Sequence, residues 1–332
     1  MEIPLINMST KVNIKAMNAK AIFKIFFIGL DVFFIIILAM LFYLLQPVSS
    51  NSVVYIPKGS NSKIIASLNN AKLQFSKLDQ YLLLFFGSPQ SGWINISNTN
   101  LLRAEFLHEL TINKAALVKI TLIPGETSEY FLRTIVAPSL KLNPDKLLNE
   151  LKLQSNYKEG VLTPDTYLIP LGISEELFIK YLLENTKKRN YEISKKVFGD
   201  YEENKFYRFV IVASIIQKEA ANKEEMPVVA SVIYNRLNKG MKLQMDGMLN
   251  YGMNSHNKVT PEMIRNDDSE FNSYKNEGLP SVAICNVSTP AILAAISPEK
   301  TNFLYFMRDK KTGKHKFNTN LSEHEKEVAR QR

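Results

Sequence analysis

The stretch FVIVASIIQKEA, residues 209–220, ends on a glutamate after a run in which nearly every residue before Gln217 is apolar or small. At helical spacing Glu219 lies one turn above Ile215 and Ile216, so its side chain points along the apolar stripe. A carboxyl group there loses hydration, which raises its pKa and favours the protonated form that a general acid needs. The pattern therefore predicts a core helix that ends on a candidate catalytic acid.

Spacing alone leaves a second interpretation of Glu219 open. The residue also stands one turn before Lys223, and opposite charges four residues apart stabilise a helix at the protein surface. In that case Glu219 forms an ordinary ion pair or simply ends its helix in solvent. The remainder of the chain has to decide between the two interpretations.

Length and composition bound the type of protein. The 332 residues, 45% of them apolar, suffice for one large core or two smaller ones, and we expect two or three domains. The single cysteine, Cys285, excludes an internal disulfide. The four histidines occur at none of the spacings typical of metal ligands, so we expect no metal site and no cofactor.

The net charge of +9 raises the question of a nucleic-acid partner. The lysines are dispersed along the chain, however, and no pattern of a nucleic-acid-binding motif accompanies them. A basic surface also suits other anionic polymers, such as cell wall. We therefore expect no nucleic-acid partner.

An apolar run near the N-terminus is long enough to cross a bilayer. Residues 25–45, IFFIGLDVFFIIILAMLFYLL, contain Asp31 as their only charge. A cleaved signal peptide is the alternative, but the apolar region of a signal peptide is shorter than this run. We therefore expect an uncleaved, single-pass transmembrane helix.

The charges that flank this run predict its orientation in the membrane. Four lysines lie between residues 11 and 24, whereas the first charge beyond the run is Lys58. Because basic residues favour the cytoplasmic side, residues 1–24 should form a cytoplasmic tail. The rest of the chain should then lie on the outer, periplasmic side of the cytoplasmic (inner) membrane.

Three segments beyond the run share one pattern: IPKGSNSKII from Ile56, IPGETSEYFL from Ile123 and IPLGISEELF from Ile169. Each places Pro and Gly after an extended stretch, and polar residues before an apolar periodic run, which is typical of strand, turn and helix. We predict an α+β fold, with a small α+β subdomain over residues 52–114 and a larger mixed α/β domain over residues 117–332.

Three loop-rich stretches follow the helix that carries Glu219: LQMDGMLNYGM from Leu243, FNSYKNEGLPS from Phe271 and HKFNTNLSEHE from His315. Their amide, hydroxyl and aromatic side chains suit a neutral, hydroxyl-rich ligand such as a sugar chain. The same residue types are also what solvated turns need. Three such stretches after one semi-buried glutamate nevertheless favour a ligand groove.

Together with ASIIQKEA and NRLNKGMKLQMD, these stretches resemble the membrane-anchored endolytic murein transglycosylase family, also called YceG-like, in order and spacing over residues 211–328. The repeated strand–turn–helix unit is similar to the LysM-like subdomain of that family, which assigns it to residues 52–114 and the catalytic domain to residues 117–332. The resemblance implies a lytic transglycosylase that cuts within nascent peptidoglycan glycan strands at the membrane. Peptidoglycan synthases or division proteins would be further partners.

The resemblance also implies site residues. The glutamate of the family's K-E-A step is the catalytic acid/base and falls on Glu219, while polar positions of the glycan cleft fall on Gln244, Asp246, Asn272, Tyr274, Asn318 and Asn320. Asp246 is equally explained as a turn residue before Gly247, where the family has Asp-Pro. Two further departures are FNSY at residues 271–274 for Y-N-T-Y, and SVAICNVS at residues 281–288, which lacks a second proline and glycine.

A single catalytic carboxylate predicts the product. Most glycosidases use two carboxylates, whereas the resemblance supplies only Glu219. The C6 hydroxyl of the same MurNAc ring can then trap the reacting carbon at little entropic cost. We expect cleavage of the MurNAc–GlcNAc bond with 1,6-anhydroMurNAc ends. The alternative is a non-catalytic wall-binding or division scaffold, while a peptidase lacks a Ser–His–Asp set or metal-ligand spacing.

Overall fold

The computed structural model of the chain describes residues 19–89 and 91–331. The predicted cytoplasmic tail therefore lies largely outside the described residues. The chain divides into an N-terminal unit that ends at Lys114 and a C-terminal unit that begins at Ala115. Helices and strands are mixed in both, which confirms the predicted α+β class.

The N-terminal unit contains four helices and four short strands within its described residues. Two antiparallel pairs, β1 with β4 and β2 with β3, hold the strands together. In chain order the elements are α1 (Ala19–Leu44), β1 (Pro47–Ser49), β2 (Val53–Ile56), α2 (Asn61–Asn70), α3 (Lys77–Phe86), β3 (Gly92–Asn95), β4 (Asn100–Leu102) and α4 (Arg103–Ile112).

Helix α1 contains the apolar run found in the sequence. Its segment Phe23–Leu44 is long and apolar enough to cross a membrane, and the side chains of that segment are largely exposed. The helix begins before and ends one residue short of the predicted span of residues 25–45. Its last turn differs from the rest, because Met40, Tyr43 and Leu44 pack against the core of the N-terminal unit.

A buried polar cluster, which we call the Asp79 cluster, fastens the end of α1 to the rest of the unit. The carboxylate of Asp79 is fully buried and accepts hydrogen bonds from the Tyr43 hydroxyl at 2.6 Å and from Arg103 Nη1 at 3.0 Å. The Arg103 guanidinium also lies over the Tyr43 and Phe75 rings, 4.5 and 5.1 Å from their centres. The last turn of α1 is thus packed against the core of this unit, while the rest of the helix is exposed.

The C-terminal unit is mostly helical. Its strands form two antiparallel pairs, β5 with β6 and β7 with β8. Its elements are β5 (Leu117–Thr121), α5 (Ser128–Tyr130), a π-helical turn (Phe131–Val136), α6 (Ala137–Leu140), α7 (Pro144–Gln154), β6 (Thr166–Pro170), α8 (Glu175–Phe198), α9 (Glu203–Glu219), α10 (Met226–Asn238), 3-10 turns at Asp246–Leu249 and Gly252–Asn254, α11 (Pro261–Asn266), α12 (Thr289–Ile296), β7 (Tyr305–Arg308), β8 (His315–Asn318) and α13 (Leu321–Ala329).

Helix α9 is the central element of this unit. Every residue from Val210 to Ile216 is buried, as expected for a helix that is apolar on all sides. It packs against α10 and α12, and the 3-10 turn at Asp246–Leu249 covers its C-terminal end. The predicted helical section between residues 174 and 221 is interrupted at Gly199, which ends α8 in a left-handed conformation.

Candidate active site

Glu219 is the last residue of α9 and follows the fully buried Ile215 and Ile216 by one turn. Its Oε1 accepts a hydrogen bond of 2.8 Å from the backbone N–H of Gly247, and in the described part of the chain Glu219 forms no ion pair with Lys223. The residue remains partly exposed, so a ligand can reach it from solvent. The site thus presents one carboxyl group between the core and an open surface.

The surroundings of Glu219 raise its pKa to about 7. Loss of hydration is the largest cause, and the nearby negative charge of Asp246 adds to it. The Gly247 hydrogen bond and the positive charge of Arg236 act in the opposite direction. A carboxyl group with this pKa is still substantially protonated at neutral pH, which is what a general acid requires.

Arg236, on α10, connects two segments of the chain near Glu219. The side chain is buried, and it donates from Nε to the carbonyl of Leu304 at 2.6 Å and from Nη1 to the carbonyl of Leu243. Its guanidinium also lies 5.3 Å from the centre of the Tyr305 ring. One cation therefore ties the loop that precedes Gln244 to the start of the β7–β8 hairpin. Sequence reasoning missed it, although an arginine in the apolar helix VIYNRLN was a signal.

Three of the predicted site residues lie on two loops that meet near Glu219, Gln244 and Asp246 on one and Tyr274 on the other. Gln244 and Asp246 are exposed, and the Tyr274 hydroxyl donates to Asp246 Oδ1 at 2.6 Å. Gln244 has a positive φ of 47°, a left-handed conformation that is uncommon outside glycine. Burial, together with the bond to Asp246, raises the pKa of Tyr274, so its hydroxyl stays protonated and acts as a donor.

Asn272 corrects one expectation. Its side chain is fully buried, and its amide donates to the carbonyls of Ile264 at 2.8 Å and Asp267 at 2.7 Å. Its oxygen accepts the N–H of Tyr274 at 3.2 Å. With its polar atoms bonded inside the loop, Asn272 shapes the segment that presents Tyr274 and offers no group to a ligand.

The remaining two predicted residues lie at the end of the β7–β8 hairpin. Asn318 is half-buried, and its Oδ1 has no hydrogen-bond partner among the described residues. Asn320 is exposed, but its oxygen caps α13 by accepting the N–H of Glu323 at 3.0 Å. Asn318 pairs with Tyr305 across the hairpin, and the Arg236 guanidinium lies over the Tyr305 ring. Tyr305 and Arg236 therefore connect the end of the hairpin to the surroundings of Glu219.

A second pair of side chains, absent from the sequence prediction, joins distant loops in this unit. The buried carboxylate of Glu126 accepts a hydrogen bond from His256 Nε2 at 2.7 Å. Glu126 belongs to the IPGETSEYF segment, where the pattern indicated only a turn, and the partner lies 130 residues away. No pattern in the local sequence predicts a contact between residues so far apart. It holds the loop of residues 250–257 beside the end of α9, where Lys218 Nζ donates to the Ser255 carbonyl at 3.2 Å.

The site has the means for acid–base chemistry. Within residues 19–89 and 91–331, no three His, Cys, Asp or Glu side chains form a group that could hold a metal ion. Glu219 has a near-neutral pKa and lies near the exposed Asp246. Glu159 also has its pKa raised to about 7 by burial, but Ser128 and Gly160 bond its two oxygens from within the fold.

Comparison with known proteins gives a consistent set of relatives. The profile of the YceG-like family matches residues 54–330. A Bacillus subtilis (strain 168) protein named endolytic murein transglycosylase is 30% identical over 321 residues, covering 85% of this chain and 86% of that protein. A Streptococcus pneumoniae (serotype 2, strain D39) protein of the same name is 31% identical over 181 residues, 52% of this chain and 32% of its own length. A crystal structure of a yceG-like protein from Listeria monocytogenes superposes with a TM-score of 0.53 at 27% identity, covering 85% of this chain and 99% of that one.

Proposed function

Since the chain belongs to the YceG-like family, we propose that it is an enzyme, a murein lytic transglycosylase that acts on peptidoglycan. It cleaves the MurNAc–GlcNAc bond within nascent glycan strands and leaves 1,6-anhydroMurNAc ends. The observation that carries this proposal is the partly exposed carboxyl group of Glu219, which has a pKa of about 7 and lies near the exposed Asp246. An acid of this kind can donate its proton and take one back at the same pH.

Glu219 serves both steps of the reaction. It first gives its proton to the glycosidic oxygen, and the bond from that oxygen to C1 of MurNAc breaks. The carboxylate that forms is stabilised by the Gly247 N–H at 2.8 Å. It then removes the proton of the C6 hydroxyl of the same ring as that oxygen bonds to C1. Glu219 ends protonated, and no water is consumed.

The neighbouring polar groups bind the substrate. Asp246 is the other carboxylate beside Glu219, but its Oδ1 is bonded to the Tyr274 hydroxyl at 2.6 Å. We assign Asp246, Tyr274 and Gln244 to sugar recognition, because carboxylate, hydroxyl and amide groups pair with sugar hydroxyls. Asn318 and Asn320 border the same cleft, while Asn272 supports the loop.

The cellular location follows from α1. We assign α1 as a single-pass anchor in the cytoplasmic membrane, with the N-terminus in the cytoplasm and the chain that follows α1 outside. The order β2–α2–α3–β3, with β2 and β3 antiparallel, supports a LysM-like assignment for the N-terminal unit. An enzyme anchored there can terminate or trim strands as they are made, next to synthases or division proteins.

Digestion of purified glycan strands tests the proposal. The full chain in detergent should release internal fragments whose MurNAc ends are each one water lighter than reducing ends, as weighed by mass spectrometry. Glu219→Gln is the matched control and should bind strands without cutting them. Products with reducing ends would indicate a hydrolase with a second catalytic carboxylate. Intact strands with both proteins would favour the scaffold.

A further inference from the structure

Helix α3 exposes a row of large apolar side chains. Leu78, Tyr81, Leu84 and Phe85 are 39%, 68%, 69% and 87% exposed. We call these four residues the α3 apolar face. The opposite side of the helix carries Leu82 and Leu83, which are buried in the core of the N-terminal unit. The helix is therefore apolar on two sides, and residues 19–89 and 91–331 cover only one of them.

The outer side is costly to leave in water. Burying a large apolar side chain is favourable, so four neighbouring ones produce a strong attraction for an apolar surface. Leu78, Tyr81 and Phe85 recur at i, i+3 and i+7, which aligns them on one stripe. Continuous exposed stripes of this kind mark interaction sites, whereas isolated exposed leucines do not.

Helix α3 begins beside the last turn of α1. The Tyr43 hydroxyl, in the last turn of α1, lies 2.6 Å from Asp79 Oδ2 and 2.8 Å from Ser76 Oγ, at the first turn of α3. Helix α3 therefore starts where the apolar span of α1 ends. A helix of ten residues is about 15 Å long, so its whole outer face stays close to that boundary.

The chemistry of α3 fits the surface of a bilayer. Tyr81 and Phe85 are side chains that settle at the level of the lipid headgroups. Lys77 is exposed beside them and can reach anionic lipid. Between residues 46 and 114 the chain has six Lys and Arg against three Asp and Glu, so the unit as a whole is attracted to a negative surface.

We propose that the α3 apolar face lies in the interfacial layer of the membrane that holds α1. The N-terminal unit is then attached to the bilayer at two places, by a spanning helix and by a helix lying on the surface. Two attachments prevent the unit from rotating about the α1 axis. This inference rests on the membrane anchor of the proposed function, and it adds a lipid contact outside the active site.

Fluorescence quenching tests the contact in the full chain. The native Cys285 is fully buried, so a cysteine placed elsewhere can be labelled selectively with an environment-sensitive dye. The test variant is Phe85→Cys, and the matched control is Ala66→Cys on the exposed, polar side of α2. A third variant, Ile35→Cys, reports on α1 itself. Each is placed in vesicles of phosphatidylethanolamine and phosphatidylglycerol that contain lipids with a headgroup-level spin label.

We expect strong quenching at position 85, at least threefold above that at position 66. Equal, weak quenching at positions 85 and 66 would overturn the inference, provided that the dye at position 35 reports a lipid environment. An aqueous environment at position 35 would instead overturn the anchor assignment. If the dye at position 85 reports an apolar environment that depends on protein concentration and not on lipid, a second copy of the chain covers the α3 apolar face. That result would also overturn the inference.

Discussion

Replacement of Glu219 by glutamine should abolish activity and, at alkaline pH, make the C-terminal unit more stable. The folded-state pKa of Glu219 is about 7, above its ordinary value of 4.5. Stability that depends on the protonated form is therefore fully present below pH 4.5 and is lost as the pH rises through 7. Glutamine stays neutral at every pH, and its carbonyl oxygen can still accept the Gly247 N–H.

The magnitude follows from the size of the shift. One pKa unit corresponds to about 1.4 kcal/mol, so the full difference between the two values is about 3 kcal/mol. Because the Glu219 side chain is partly exposed, solvent reduces this figure, and we expect about 1–2 kcal/mol in favour of Glu219→Gln at pH 8. At pH 4.5 the two proteins should be close to equal in stability. Turnover should fall by about a hundred- to ten-thousand-fold.

Cys285 supplies the assay for this prediction. It is the only cysteine, it is fully buried, and it belongs to the same unit as Glu219. The rate at which a thiol reagent labels it under native conditions, divided by the rate for the unfolded chain at the same pH, measures how often the unit opens. About tenfold slower labelling of the variant at pH 8 corresponds to about 1.4 kcal/mol.

Glu159→Gln is the control for this experiment. The pKa of Glu159 is also raised to about 7, but its oxygens accept from Ser128 N–H, Ser128 O–H and Gly160 N–H. An amide NH₂ placed against those donors should destabilise the unit at every pH. If Glu219→Gln labels at the wild-type rate at pH 8, the pKa of Glu219 is not raised and the assignment of the acid fails.

Three further predictions concern orientation, the acid and the cleft. A reporter that is active only outside the cytoplasm should work when fused after Arg332, and activity restricted to a cytoplasmic reporter would reverse the orientation. Gly247→Pro, which removes the N–H donor to Glu219, should move the alkaline limb of the pH–rate profile up by roughly half to one unit. In both variants the new Cβ would lie 2.8 Å from Glu219 Oε1, but Gly247→Ala keeps the N–H, so an equal shift in both would show that crowding and not the hydrogen bond is the cause. Tyr274→Phe releases Asp246 and should raise KM by about threefold to tenfold, consistent with one hydrogen bond, while a loss confined to kcat would place Tyr274 in the chemical step.

The fold was predictable where a local pattern is strong. The apolar run of residues 209–216 is continuous, so a buried helix that ends near Glu219 follows from the local pattern. The break between α8 and α9 at Gly199 has a local cause as well, because the glycine adopts a left-handed conformation, but the surrounding helical pattern concealed it. The α+β class and the apolar helix α1 likewise come directly from the sequence.

The site was less predictable because its contacts connect distant parts of the chain. The bonds of Arg236 to Leu304 and of Glu126 to His256 span 68 and 130 residues, and no spacing rule covers such distances. Asn272 shows the opposite difficulty. An asparagine in a polar loop has the same appearance in the sequence whether its amide faces a ligand or is fully bonded inside the loop.

The Asp79 cluster has a practical consequence for anyone who prepares a soluble form of this protein. A fragment that starts at Pro47 loses the Tyr43 hydroxyl that bonds the buried Asp79, and with it the Met40 and Leu44 side chains that cover the core. The truncated N-terminal unit would then expose a fresh apolar surface and an under-bonded carboxylate. A fragment that starts just before Met40 retains all three side chains. The better N-terminal boundary therefore lies within the apolar run of residues 25–45 and not after it.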